Sequence, residues 1–116
     1  SRVRVTGDWF PRYLWSTDAN ASVTWELDVP ATGNFILSIR YPGDPNLDHA
    51  TDARLRIFQH GAVLAERRLN LRENSLHWDQ IESVRLEGNC PCRIMLDQSE
   101  NTGSLVLFEP RLAPTR

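Results

Sequence analysis

The chain has 116 residues, 41% hydrophobic and 24% charged, with a formal net charge of −2. That length holds one domain with a real core, burying roughly two thirds of its unfolded surface, and is short for two. No apolar run reaches the ~18 residues of a membrane span, and no sequence-wide basic field exists to draw in nucleic acid or an anionic membrane. All 13 basic residues are Arg. That excludes a lysine Schiff base or a phosphate-cradling lysine, and leaves forked guanidinium groups suited to carboxylates and aromatic faces.

The start, "SRVRVTGDWF", lacks a charged segment leading into an apolar one, so the chain reads as a piece excised from a longer protein. In "ASVTWELDVP", Val23, Trp25 and Leu27 alternate with Thr24, Glu26 and Asp28, the period of a strand with one buried face. "FILSIRY" repeats the alternation with Phe35, Leu37, Ile39 and Tyr41, and Gly33-Asn34 between the two runs predicts a hairpin. The next stretch, "PGDPNLDHATD", is a long surface loop by its density of Pro, Gly, Asp and Asn. "ARLRIFQ" and "AVLAERRLNL" flank His60-Gly61 as a second hairpin, with Leu55 and Ile57 inward and Arg54 and Arg56 outward. After the turn at "RENS", the runs "SVRLE", "CRIML" and "SLVLFEPRL" add Val84, Leu86, Ile94, Leu96, Leu105 and Leu107 to the expected core. About eight short strands without a sustained helical period predict an all-β, antiparallel two-sheet β-sandwich spanning residues 1–116.

Cys90 and Cys92 share the parity of Ile94 and Leu96, which predicts that both thiols line the core, with Pro91 at the strand's mouth. A strained disulfide between them and a metal site stay open beside that reading, although no zinc-type spacing is present. Catalytic signals are weak. The three histidines are isolated, and no nucleophile turn, paired metal-binding histidines or glycine-rich phosphate loop appears. The chain is expected not to be an enzyme.

The order "VTGDW", "ASVTWELDVPATGNFILSIRYPG", "HATDARLRIFQHG", "HWDQIESVRLEG" and "TGSLVLFEPRL" resembles the golvesin C-terminal-like domain, also called the xanthan lyase carbohydrate-binding-like domain. The resemblance runs over nearly the whole chain. It departs in the short "FPRYLWSTDAN" segment, where family members carry a longer one, and in the Cys-Pro-Cys. It implies a jelly-roll-like sandwich, a non-catalytic role, and a place as one module of a larger secreted or cell-envelope protein. It also implies a core-packing tryptophan at Trp78.

The function expected on these grounds is carbohydrate binding. Sugar rings stack on exposed aromatics and their hydroxyls pair with loop polar groups. Strand parity puts Trp25 in the core, and Trp9 and Trp78 are assigned there too. The binding residues expected are therefore Tyr13 and Trp15, with Asp44, Asn46, Asp48 and His49 from the long loop. No cofactor is expected, beyond a structural calcium ion that oxygen ligands such as Asp44 and Asp48 would suit. The rival reading is a structural or protein–protein module packing against a neighbouring domain or a copy of itself. The outward Arg54, Arg56, Arg67 and Arg68 would suit such a face.

Overall fold

In the computed structural model the described residues are 2–7, 15–16, 20–41, 48–73 and 75–115. They contain ten strands and no helix: β1 (Arg2–Thr6), β2 (Trp15–Ser16), β3 (Ser22–Leu27), β4 (Gly33–Tyr41), β5 (Ala53–Gln59), β6 (Ala62–Leu69), β7 (Ser75–Leu86), β8 (Cys92–Asp97), β9 (Leu105–Val106) and β10 (Arg111–Pro114). A five-stranded antiparallel sheet runs β1-β3-β8-β5-β6, a three-stranded one runs β10-β4-β7, and β2 pairs with β9. The architecture is the expected antiparallel β-sandwich of jelly-roll type.

The core lies between the two larger sheets. From the five-stranded sheet it takes Val23, Trp25, Leu55, Ile57, Ile94 and Leu96, and from the other Phe35, Leu37, Ile39, Val84 and Leu86. Leu105 and Leu107 are also fully buried in it. Every residue the alternation assigned to the interior is buried except Leu27, which packs against the core while partly exposed, and Cys90, which is half-buried. Strands β5 and β8 show the pattern most clearly, because period-two sequences put their apolar side chains on one face of the pleat.

Two connections and the placement of Trp78 differ from the sequence reading. β3 and β4 do not form a hairpin: they belong to different sheets, Gly33 and Asn34 lie inside β4, and 28–32 cross from one sheet to the other. "SLVLFEPRL" is two strands, one pairing with β2 and the other joining the three-stranded sheet. Trp78 is not in the core. Between β4 and β7, Leu37 faces Glu82 but Ser38 faces Gln80, so Ile81 is an extra residue in β7. One inserted residue reverses the parity of everything beyond it. Trp78 therefore turns to the outer face, half-buried, with the Arg111 guanidinium 4.0 Å from its ring centroid and that of Arg40 at 5.8 Å. Arg40 also lies 4.7 Å from the Phe108 centroid, which makes a stack of cations and rings across the small sheet. The hairpin at His60-Gly61 matches the sequence reading. Both residues have positive φ, 54° and 74°, as a two-residue turn compatible with strand twist requires.

The cysteines separate. Cys92 opens β8 and is fully buried, as its parity demands, whereas Cys90 lies before the strand, in the turn after Gly88-Asn89, and is half-buried. The parity argument fails for Cys90 because alternation holds only within a strand. Both are free thiols.

Among the described residues Trp25 is the largest fully buried side chain, paired with Ile94 on β8 and Val3 on β1. Trp25→Ala is expected to cost about 3–5 kcal/mol, the range for emptying a large core site, read as a lowered denaturant midpoint.

Candidate functional site

Because the five-stranded sheet is fixed by its inner face, its outer face presents a determined set of side chains. Along β3, β8 and β5 the partners Thr24, Met95 and Arg56 form one row, and Glu26, Arg93 and Phe58 the next. Arg4 of β1 extends the first row, opposite Thr24. From these rows Arg4, Thr24, Met95, Glu26, Arg93 and Phe58 line a groove of about 430 Å³, bounded at one end by His60 and Gly61 of the β5–β6 turn and by Cys90 and Pro91. The volume lies within the range of small-ligand sites.

The apolar part of the floor, Phe58 and Met95, is pinned. The Arg56 guanidinium sits 5.3 Å from the Phe58 centroid, donates to Met95 Sδ at 3.6 Å and reaches Asp97 Oδ2 at 3.0 Å. Arg54 holds the same carboxylate with two bonds of 2.8 Å. Arg54 and Arg56, expected as part of a partner face, are thus tied down within their own sheet. Along the groove Arg93 meets Glu26 at 3.3 Å, and Arg4 makes no ion pair among the described residues.

The closed end depends on one buried amide. Gln59 Nε2 donates to the carbonyls of Glu87 (2.9 Å) and Cys90 (3.1 Å), and its Oε1 accepts from the Glu87 amide at 2.9 Å. The 87–90 turn is seated on its other side as well: Asn89 N donates to Val29 O and Gly88 N to Thr32 Oγ1. A Cβ on Gly88 would stand 2.5 Å from Thr32 N, so only glycine allows this approach.

The loop residues expected to bind ligand fare unequally. Tyr13, Asp44 and Asn46 lie outside the described residues, as does Trp9, and Trp15 is described through its backbone, which pairs with Val106. Asp48 is 85% exposed, with Arg72 at 3.1 Å. His49 is buried, and its Nδ1 lies 3.3 Å from the Leu71 carbonyl, which leaves that nitrogen occupied by the fold. The backbones of His49 and Trp15 both reach the 104–106 segment: His49 bridges to Ser104, while the next two residues, Leu105 and Val106, pair with Ser16 and Trp15. Among the described residues no three His, Cys, Asp or Glu side chains converge as metal ligands.

No family model and no curated sequence matches the chain. Solved structures do. A family 35 carbohydrate-binding module from Clostridium thermocellum superposes with a TM-score of 0.57 at 14% identity, over 97% of this chain and 88% of that one. Xyl-CBM35, solved in complex with a disaccharide containing glucuronic acid, gives 0.58 at 15% identity over 87% and 71%. The GH26-CBM35 β-(1,4)-mannanase of Podospora anserina gives 0.56 at 15% identity, over 85% of this chain and only 20% of that enzyme. The likeness is one of fold.

The groove escaped the sequence reading because it is built from four strands distant in the chain. A faint signal was present: Phe58 occupies a polar parity position, after Arg54 and Arg56, where an aromatic has no core to fill. Gln59→Ala is expected to lower stability by about 2–3 kcal/mol, since it leaves buried backbone groups of the 87–90 turn without partners. Hydrogen exchange should show that turn opening first.

Proposed function

We propose that this chain is a non-catalytic accessory module that holds a larger secreted or cell-envelope protein on a polysaccharide, and that it grips an acidic glycan in the groove. The observation that carries the reading is an apolar floor of Phe58 and Met95 flanked by the guanidiniums of Arg4 and Arg93. Sugar C–H faces pack on an aromatic or thioether floor, and guanidinium forks match a uronate carboxylate. The fold shared with carbohydrate-binding modules supports this, as does the order of landmarks that resembles the golvesin C-terminal-like domain. No step of bond chemistry is assigned to the groove.

A second site is supported by the backbone pairings of residues 104–106, with His49 at Ser104 and with Trp15 at Val106. On that reading Tyr13, Trp15, Asp44, Asn46 and Asp48 contact the sugar, and His49 supports them from inside. Calcium at Asp44 and Asp48 belongs to this reading.

Affinity electrophoresis and calorimetry against neutral and acidic polysaccharides, with and without calcium, separate the two. Phe58→Ala should weaken binding by about 1–3 kcal/mol, the scale of burying one large apolar side chain, with melting nearly unchanged, while Trp15→Ala leaves binding intact. The opposite pattern moves the site to the loop end. Retention by no polysaccharide, with variants that change self-association instead, overturns glycan binding in favour of a structural module.

A further inference from the structure

At the closed end of the groove three reactive side chains meet that no binding role requires. Cys90 Sγ lies 3.8 Å from His60 Nδ1. The other ring nitrogen of His60, Nε2, bonds the Glu87 carboxylate. A carboxylate accepts only, so neutral His60 must carry its proton on Nε2, and the lone pair on Nδ1 is left facing the thiol. This is the order nucleophile, base, orienting acid.

The fold builds the arrangement from two separate turns. His60 stands at positive φ at the tip of the β5–β6 hairpin. Glu87 and Cys90 flank Gly88-Asn89, and Gln59 bonds the backbone of both. Access is open: the His60 and Glu87 side chains are 61% and 62% exposed. Cys92, two residues on, is the built-in contrast. It is fully buried, and burial, with the neighbouring Cys90 as a lesser cause, pushes its thiol up to about 11.

We propose that Cys90 is a thiol–disulfide exchange site, with His60 as its base and Glu87 as a positioning residue, that takes up a low-molecular-weight disulfide. His60 Nδ1 receives the thiol proton, and the Cys90 sulfur attacks one sulfur of the disulfide. A Cys90–S–S–R bond forms as the R–S–S–R bond breaks. The departing thiolate takes the electron pair and then the proton from His60, leaving as RSH. Cys90 is oxidised to the disulfide level and the co-reactant reduced to one thiol, so nothing else is consumed. The proposal is independent of what the groove binds.

The test treats the folded protein with excess oxidised glutathione, follows adduct formation by intact mass and locates it by peptide mapping. One adduct, on Cys90, is expected, and Cys90→Ser should form none. His60→Asn, a residue that tolerates the same positive φ, should slow the reaction by about ten-fold, the low side of general-base effects because the pair is open to water. Glu87→Gln should slow it by about three-fold and Glu87→Asp should restore it, a recovery that a merely structural role would not show. Melting curves of the His60 and Glu87 variants should overlay, since those side chains are exposed. An unchanged rate in His60→Asn, an adduct on Cys92, or an internal Cys90–Cys92 disulfide in place of the adduct would each overturn the assignment.

Discussion

The row Trp25–Ile94–Ile57, three side chains opposite one another on β3, β8 and β5, holds the middle of the inner face. All three are buried to within 2% of completely. A slip of one residue in any of these strands would turn its whole apolar set to water, so the register is strongly determined. The outer face inherits that certainty without contributing to it. Thr24, Met95 and Arg56, and then Glu26, Arg93 and Phe58, are neighbours because their core-facing neighbours are. A groove of polar and apolar side chains thus comes from hydrophobic packing on the opposite side of the sheet.

The same logic does not reach the ends of the strands, where the chain must turn. There the order is kept by polar side chains withdrawn from water. Gln59 spans the hairpin tip and the 87–90 turn, and Gln98 does the same for its own loop, donating to Gly103 O and accepting from Thr102 N. A buried amide with all its groups bonded positions backbone more sharply than apolar contact, because each missing bond would cost its full desolvation. At Gly103 a Cβ would stand 2.6 Å from the His49 carbonyl, which lets residues 103–104 close on the loop edge. Both candidate binding regions therefore rest on a glutamine and a glycine.

The three-stranded sheet shows what a single inserted residue does. Ile81 shifts the β4–β7 register, and Trp78, otherwise of core parity, goes out to lie between Arg111 and Arg40. Both guanidiniums lie over the ring system, worth about 0.5–1 kcal/mol each at such a site, so this tryptophan is engaged within its own sheet. The groove on the opposite sheet differs in that only one guanidinium, from Arg56, lies against Phe58 among the described residues. That difference is why the sugar-binding reading settles on the five-stranded sheet.

Alternation along single strands was enough to determine the all-β class, the inward set from Val23 to Leu107, and the His60-Gly61 turn, because period-two patterning and positive-φ preference act within a few residues. Sequence resemblance pointed to a carbohydrate-binding-like sandwich, and the fold agrees at that level. Tertiary structure decided the rest. Whether β3 and β4 pair or part, which face Trp78 takes, and whether Cys90 joins Cys92 inside all depend on sheet exchange, a bulge and a turn, and local pattern does not encode them. The loop residues sorted likewise: Asp48 and His49 are adjacent in sequence, yet one stands in water and the other is buried against Leu71. The groove and the Cys90–His60–Glu87 cluster draw on residues up to 89 positions apart, Arg4 to Arg93, and become neighbours only when strand order puts β1, β3, β8 and β5 side by side. A sequence states which residues alternate; which strands then lie together is settled by the burial of all their inner faces at once.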